Sequence, residues 1–375
     1  MSLKYLRRSA GQLICALGVF AGSRMWVPAA TAHAQASVQL PAAVSCSQCR
    51  VALEPVLTLG GTSPHAMLDA EINLVTRDSR GRYYVANGES PTVWVFGADG
   101  ALVSRLGREG AGPGEFRRPT AFVAGPSDSL YVFDASLSRM TVFGPDLSFA
   151  RATALAFRPD LFDVAFVGSS IVLNANIRSP ERAGLPLHVI ARSGEIARSF
   201  GSETGVYRPD LGYGSRRALA LGLGGSVWAA ALNSYVLQRW DTAGRLLATI
   251  RREVEWFPTY WRYDVNAALP PPPSISALAQ VGDTLWVMVK VADANWRTAV
   301  ESTSPDGRFF RVLDQHGYRD TMLEAIDVRS RRIIVSSRVP QLLWGFLDTG
   351  LAYGPGEDAD GNPVVRVFRA HIVQE

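Results

Sequence analysis

Few residues of this sequence combine the type and the spacing that chemistry demands. Past residue 34 the histidines are His65, His188, His316 and His371, scattered along the chain and too few for a repeated zinc-ligand set. No GxSxG, Walker A or HExxH pattern occurs. The Cys46-Ser47-Gln48-Cys49 pair lacks the helix start and βαβ setting of thioredoxin chemistry. Covalent haem would need His where Arg50 stands, so a local disulfide between Cys46 and Cys49 is the plain reading. Gly110-Ala111-Gly112-Pro113-Gly114 is as glycine-rich as a phosphate cradle, yet it joins strand to strand and offers no helix N-terminus. Residues suited to recognition stand out instead: the pairs Arg117-Arg118 and Arg216-Arg217, and the aromatic run Trp256, Phe257, Tyr260, Trp261 and Tyr263.

The elements that must position these residues are short apolar runs bounded by Gly, Pro, Ser and Asp, the signature of antiparallel meanders. In 106–143 the strands are Thr120–Val123, Leu130–Phe133 and Met140–Phe143. A two-residue apolar knob before a turn recurs at Val95, Val142, Val189, Arg239, Ala325 and Val367, giving spacings of 47, 47, 50, 86 and 42. A period of this size with about four strands per unit predicts the blades of a propeller. Six units account for the strands, and the sixth, built from Leu342–Leu347, Leu351–Tyr353 and Val364–Ile372, lacks its fourth. Val51–Leu59 is a strand with no partner before it. Placing it outermost in the last blade closes the ring and removes two exposed sheet edges. The predicted fold is therefore all-β: a six-bladed β-propeller of four-stranded antiparallel blades, closed by the N-terminal strand joining the last blade. The large aromatics Tyr84, Tyr131, Trp228 and Trp286 recur on second strands, where they are expected to pack between neighbouring sheets.

Residues 1–34 do not fit the repeat. Lys4, Arg7 and Arg8 precede an apolar stretch, Leu13–Gly22, too short to span a bilayer, and Ala32-His33-Ala34 has the form of a cleavage site. This predicts a signal peptide over 1–34, a lead-in carrying CxxC over 35–50, the propeller over 51–375, and an exported, periplasmic or extracellular protein with no membrane insertion after cleavage. Four of the 38 cations and none of the 34 acids lie in the leader, so the remainder is formally neutral. Nucleic acid is not implied as a partner.

Gly107–Gly144 resembles the NHL-repeat propellers: Gly114-Glu115-Phe116 and Pro119 match their connector, Tyr131-Val132-Phe133-Asp134 the second strand, and Arg139 with Val142-Phe143 the third. Over roughly 46–375 the chain resembles exported bacterial six-bladed propellers. The resemblance implies a fold, and propellers host lyases, lactonases and binding modules alike. NHL-class zinc lyases line their channel with histidines, a set this chain does not repeat. Gluconolactonase-type propellers use Glu, Asn and Asp on inner strands; Glu71, Asn73 and Asp163 lie near such places, but Ala121, Ala220 and Ala277 occupy them in other blades.

Two functions remain. One is a propeller that binds a protein, peptide or glycan through its face of long connections, with Arg117, Arg118, Arg216, Arg217, Trp256, Tyr260 and Trp261 as ligand-binding residues and no cofactor. The other is a metal-assisted hydrolase or lyase using the central channel. Sparse channel carboxylates and histidines favour the first, and metal content would discriminate them.

Overall fold

The computed structural model describes residues 36–61, 68, 74–87, 90–177, 179–182, 184–201, 215–260, 265–347 and 350–374. They form a six-bladed β-propeller of four-stranded antiparallel sheets. Blade 1 runs outward through Leu74–Arg77, Tyr83–Ala86, Val93–Phe96 and Leu102–Leu106. Blade 2 uses Pro119–Ala124, Leu130–Asp134, Arg139–Phe143 and Phe149–Ala154; blade 3 uses Leu161–Val167, Ser170–Ala175, Leu187–Ile190 and Ile196–Phe200. Blade 4 uses Arg217–Gly222, Ser226–Ala231, Val236–Asp241 and Leu246–Arg251.

Second strands such as Tyr83–Ala86 and Ser226–Ala231 are buried throughout, because neighbouring blades cover both of their faces. Outermost strands alternate, as Leu102–Leu106 does. The core is accordingly divided: six apolar clusters lie one at each interface between blades. Tyr84, Tyr131, Trp228 and Trp286 each belong to one of these clusters, and Tyr131 meets Phe166 of blade 3 edge-on at 4.7 Å.

Blade 6 contains Gly345–Phe346, Leu351–Glu357 and Pro363–Gln374, and the N-terminal strand Cys49–Gly60 completes it. That strand runs antiparallel to Pro363–Gln374, pairing Val51 with Ile372 and Leu59 with Val365. The innermost strand is shorter than the sequence suggests. The Leu342 carbonyl passes so close to Gly354 that a Cβ there would lie 2.3 Å away, and only glycine permits the approach.

The lead-in is more than a tether. Ala36–Gln39 adds a parallel fifth strand to the outer edge of blade 4, pairing Val38 with Ile250. The amides of Ser45 and Cys46 then donate to the Ile333 and Ile334 carbonyls of blade 5, and the Val51 amide donates to Ser337 Oγ. One segment thus crosses three blade edges and covers backbone groups that would otherwise be unpaired. Cys46 and Cys49 are joined by a disulfide within this crossing.

Blade 5 consists of Ser274–Val281, Thr284–Ala292, Arg319–Asp327 and Arg332–Val339. Between its second and third strands, residues 293–318 leave the ring and form a hairpin of Val300–Ser302 with Phe310–Val312. A satellite core of Trp296, Ala299 and Tyr318 supports this hairpin.

Candidate functional site

The ring has two unlike faces. On one, strands are joined by tight turns such as 97–101, 144–148, 191–195 and 242–245. The other receives the connections 107–118 and 293–318 and the described parts, 252–260 and 265–273, of the link between blades 4 and 5. Phe309 and Leu313 of the blade 5 excursion stand 71% and 56% exposed, so the hairpin presents apolar side chains to solvent.

The four arginines fare differently. The amides of Arg117 and Arg118 both donate to Asp134 Oδ2, at 2.7 and 3.1 Å, while Asp134 Oδ1 accepts from Ser136 and Leu137. Buried Asp134 therefore fixes the connector against the turn after its own strand. The Arg117 side chain remains exposed, and Arg118 faces Asp160 at 3.4 Å. Arg216 lies 4.3 Å above the ring of Phe162, itself 39% exposed on the innermost strand of blade 3. Arg217 is buried; its amide donates to Asn174 Oδ1 and its Nη1 to the Arg216 carbonyl. The structure thus brings Arg216 together with Phe162, a ring that sequence reasoning missed. Its only sequence signal was an aromatic residue at the start of an innermost strand.

Trp256 is half-buried beside Phe257, and Arg252 stacks over it at 5.8 Å. With Pro270, Pro271, Val291 and Met322 it lines an apolar cavity of about 350 Å³, with Arg338 among the lining residues. Arg338 pairs with Asp320 at 3.1 Å; burial first, then the charge of Asp293, raises that carboxyl to about 6. Tyr260 is half-buried, its amide donating to the Asn233 carbonyl. Trp261 and Tyr263 lie outside the described residues.

Beneath Trp256, Arg252 forms a buried ion pair with Glu324, which also accepts from Tyr235 and Ser336 hydroxyls at 2.5 Å each. Arg252 Nη2 reaches the Ala42 carbonyl, tying the lead-in to the same cluster. A carboxylate inside the apolar run Met322–Ile326 was the signal available for this network, since a buried charge requires partners.

The channel is lined by the innermost strands of all six blades. Asp163 faces it, and burial raises its carboxyl to about 7 against two backbone amides that favour the charge. Glu71 and Asn73 lie outside the described residues. His188 is buried away from the channel: Nε2 contacts the Ala175 carbonyl at 3.1 Å and Nδ1 the Ser199 hydroxyl at 2.8 Å. The carbonyl fixes the Nε2–H tautomer, and burial lowers the imidazole to about 4. Among the described residues, no group of three or more His, Cys, Asp and Glu is placed to hold a metal ion. Nor is any described helix long and apolar enough to cross a membrane.

Comparison with known proteins agrees on the fold. Residues 67–167 match the model of DUF5128, a six-bladed β-propeller family. The structure is similar to that of a candidate exported protein of Bacteroides fragilis, with a TM-score of 0.59 at 11% identity over 89% of this chain and 99% of that one. A DUF4221 member from Bacteroides vulgatus is similar to the same degree, with a TM-score of 0.59 at 10% identity, covering 88% and 100% of the two chains. Virginiamycin B lyase of Staphylococcus aureus is more distant, with a TM-score of 0.47 at 8% identity over 85% and 99%. No curated protein matches the sequence.

Proposed function

We propose that this chain is an exported β-propeller that binds a protein, peptide or glycan partner through its face of long connections. The observation that carries the reading is the asymmetry of the ring. Tight turns close one face, while the other gathers the long connections, exposed Phe309 and Leu313, the Arg117 side chain and the Phe162–Arg216 stack. Rings and guanidinium groups are the side chains that most often anchor recognition, and rigid strands hold their bases in place. Export rests on the leader-like composition of 1–34 and its Ala32-His33-Ala34 site.

The test is capture of peptides and glycans from arrays by the mature protein, repeated with Arg117→Ala/Arg216→Ala and with Phe309→Ser. Binding should fall at least about tenfold in one or both variants, as expected for interface anchors, with the melting temperature unchanged. Equal capture by wild type and both variants would refute the assignment of the face.

A further inference from the structure

The interior of the ring offers a second site, which shares Phe162 with the face and is tested independently of it. The channel encloses a cavity of about 290 Å³. That is the size of a small-molecule pocket at the lower end of the usual range. Among the described residues lining it, Asp163 carries the only carboxyl group, and no lysine, arginine or histidine joins it.

Asp163 Oδ2 accepts from the Leu219 amide and Oδ1 from the Val164 amide, each at 2.7 Å. The first of these bonds ties blade 3 to blade 4. Two amide dipoles orient the carboxylate but do not cancel a full charge. Ala121, Ala220, Ala277 and Gly345 of other blades leave free volume in the lumen. Phe162, Phe166, Trp344, Phe346 and Tyr353 contribute rings to its wall. Gly345 lets Tyr353 lie against the innermost strand: a Cβ there would fall 2.9 Å from both Cε1 and Oη of the phenol. At the lip, Phe162 already supports one cation, the Arg216 guanidinium.

We propose that the lumen binds a small organic cation, an alkylammonium group, with Asp163 as its counter-ion and the rings as its walls. The alternatives fit the chemistry less well. A divalent metal ion requires several oxygen ligands, and the described lining residues supply one carboxylate. A neutral apolar guest would displace water from the carboxylate and return nothing. An anion would be repelled. An alkylammonium ion satisfies the carboxylate and gains cation–π attraction from the rings.

The test compares choline with its neutral isostere 3,3-dimethylbutan-1-ol by calorimetric titration of the mature protein. Choline should bind, and the alcohol should bind at least about tenfold more weakly. Asp163→Asn should lose at least about tenfold in choline affinity. Because the folded carboxyl titrates near 7, wild-type affinity should rise as pH increases through neutrality, with no such rise in the Asn variant. Tyr353, the other titratable group among the described residues facing the lumen, stays protonated, since burial and the Asp163 charge push its phenol upward. Should Asp163→Asn fail to fold, Ala277→Leu keeps the carboxylate while filling the lumen, and it should abolish binding. Equal affinity for the alcohol, undiminished binding by a folded Asn variant, a flat wild-type pH profile, or no choline binding at tens of millimolar would each overturn the proposal.

Discussion

Blades 2 and 5 both bury a carboxylate, and they satisfy it in opposite ways. In blade 2, Asp134 collects four amides from residues 2, 3, 16 and 17 positions away, all within its own repeat and entry connector. In blade 5, Glu324 is satisfied by Ser336, Arg252 and Tyr235, which lie 12, 72 and 89 positions away and mostly on blade 4. The local arrangement makes a stiff, compact connector. The distant one clamps two blades and the lead-in together, and blade 5 leaves its 293–318 connection free to grow into a hairpin. Equivalent repeats can therefore divide the work: one is held by its own motif, another by its neighbours.

Four variants test this contrast. Glu324→Gln should have the largest effect, a loss of about 3–5 kcal/mol in urea unfolding, because Arg252 is left as an uncompensated buried charge. Replacing Arg252 and Glu324 together with Met should recover much of that loss, because the desolvated pair is removed as a unit. Asp134→Asn should cost less, about 1–3 kcal/mol, since an amide keeps one acceptor while its NH₂ opposes donors. Its effect should appear in hydrogen exchange as faster opening of 107–118, with blade 5 unchanged. Phe309→Ser should stay within about 0.5 kcal/mol of wild type, as expected for an exposed hairpin tip. A large loss there would show that the excursion holds the ring together.

The same contrast explains what the sequence could and could not reveal. Asp134 was legible only as part of the Tyr131–Asp134 resemblance to an NHL second strand, and the blades followed from the recurring spacing of short strands. The closing strand was legible from one missing partner at the C-terminus and one spare at the N-terminus. Its continuation was not: Ala36–Gln39 is too short and weakly patterned to announce a parallel pairing with Leu246–Arg251. Glu324 and Phe162 were missed for a related reason. Their roles depend on Arg252 and Arg216, partners that only the closing of the ring brings into contact. As sequence the arginine pairs read as recognition residues, yet Arg217 is buried, its amide donating to Asn174 in the preceding blade.

The central claim, that the face of long connections is the binding face, is tested most directly by hydrogen-exchange footprinting of the protein with a ligand captured from the arrays. The account predicts slowed exchange in 107–118 and 293–318, with the tight turns 97–101, 144–148, 191–195 and 242–245 unchanged. Protection confined to those tight turns, with the long connections exchanging as in the free protein, would contradict it.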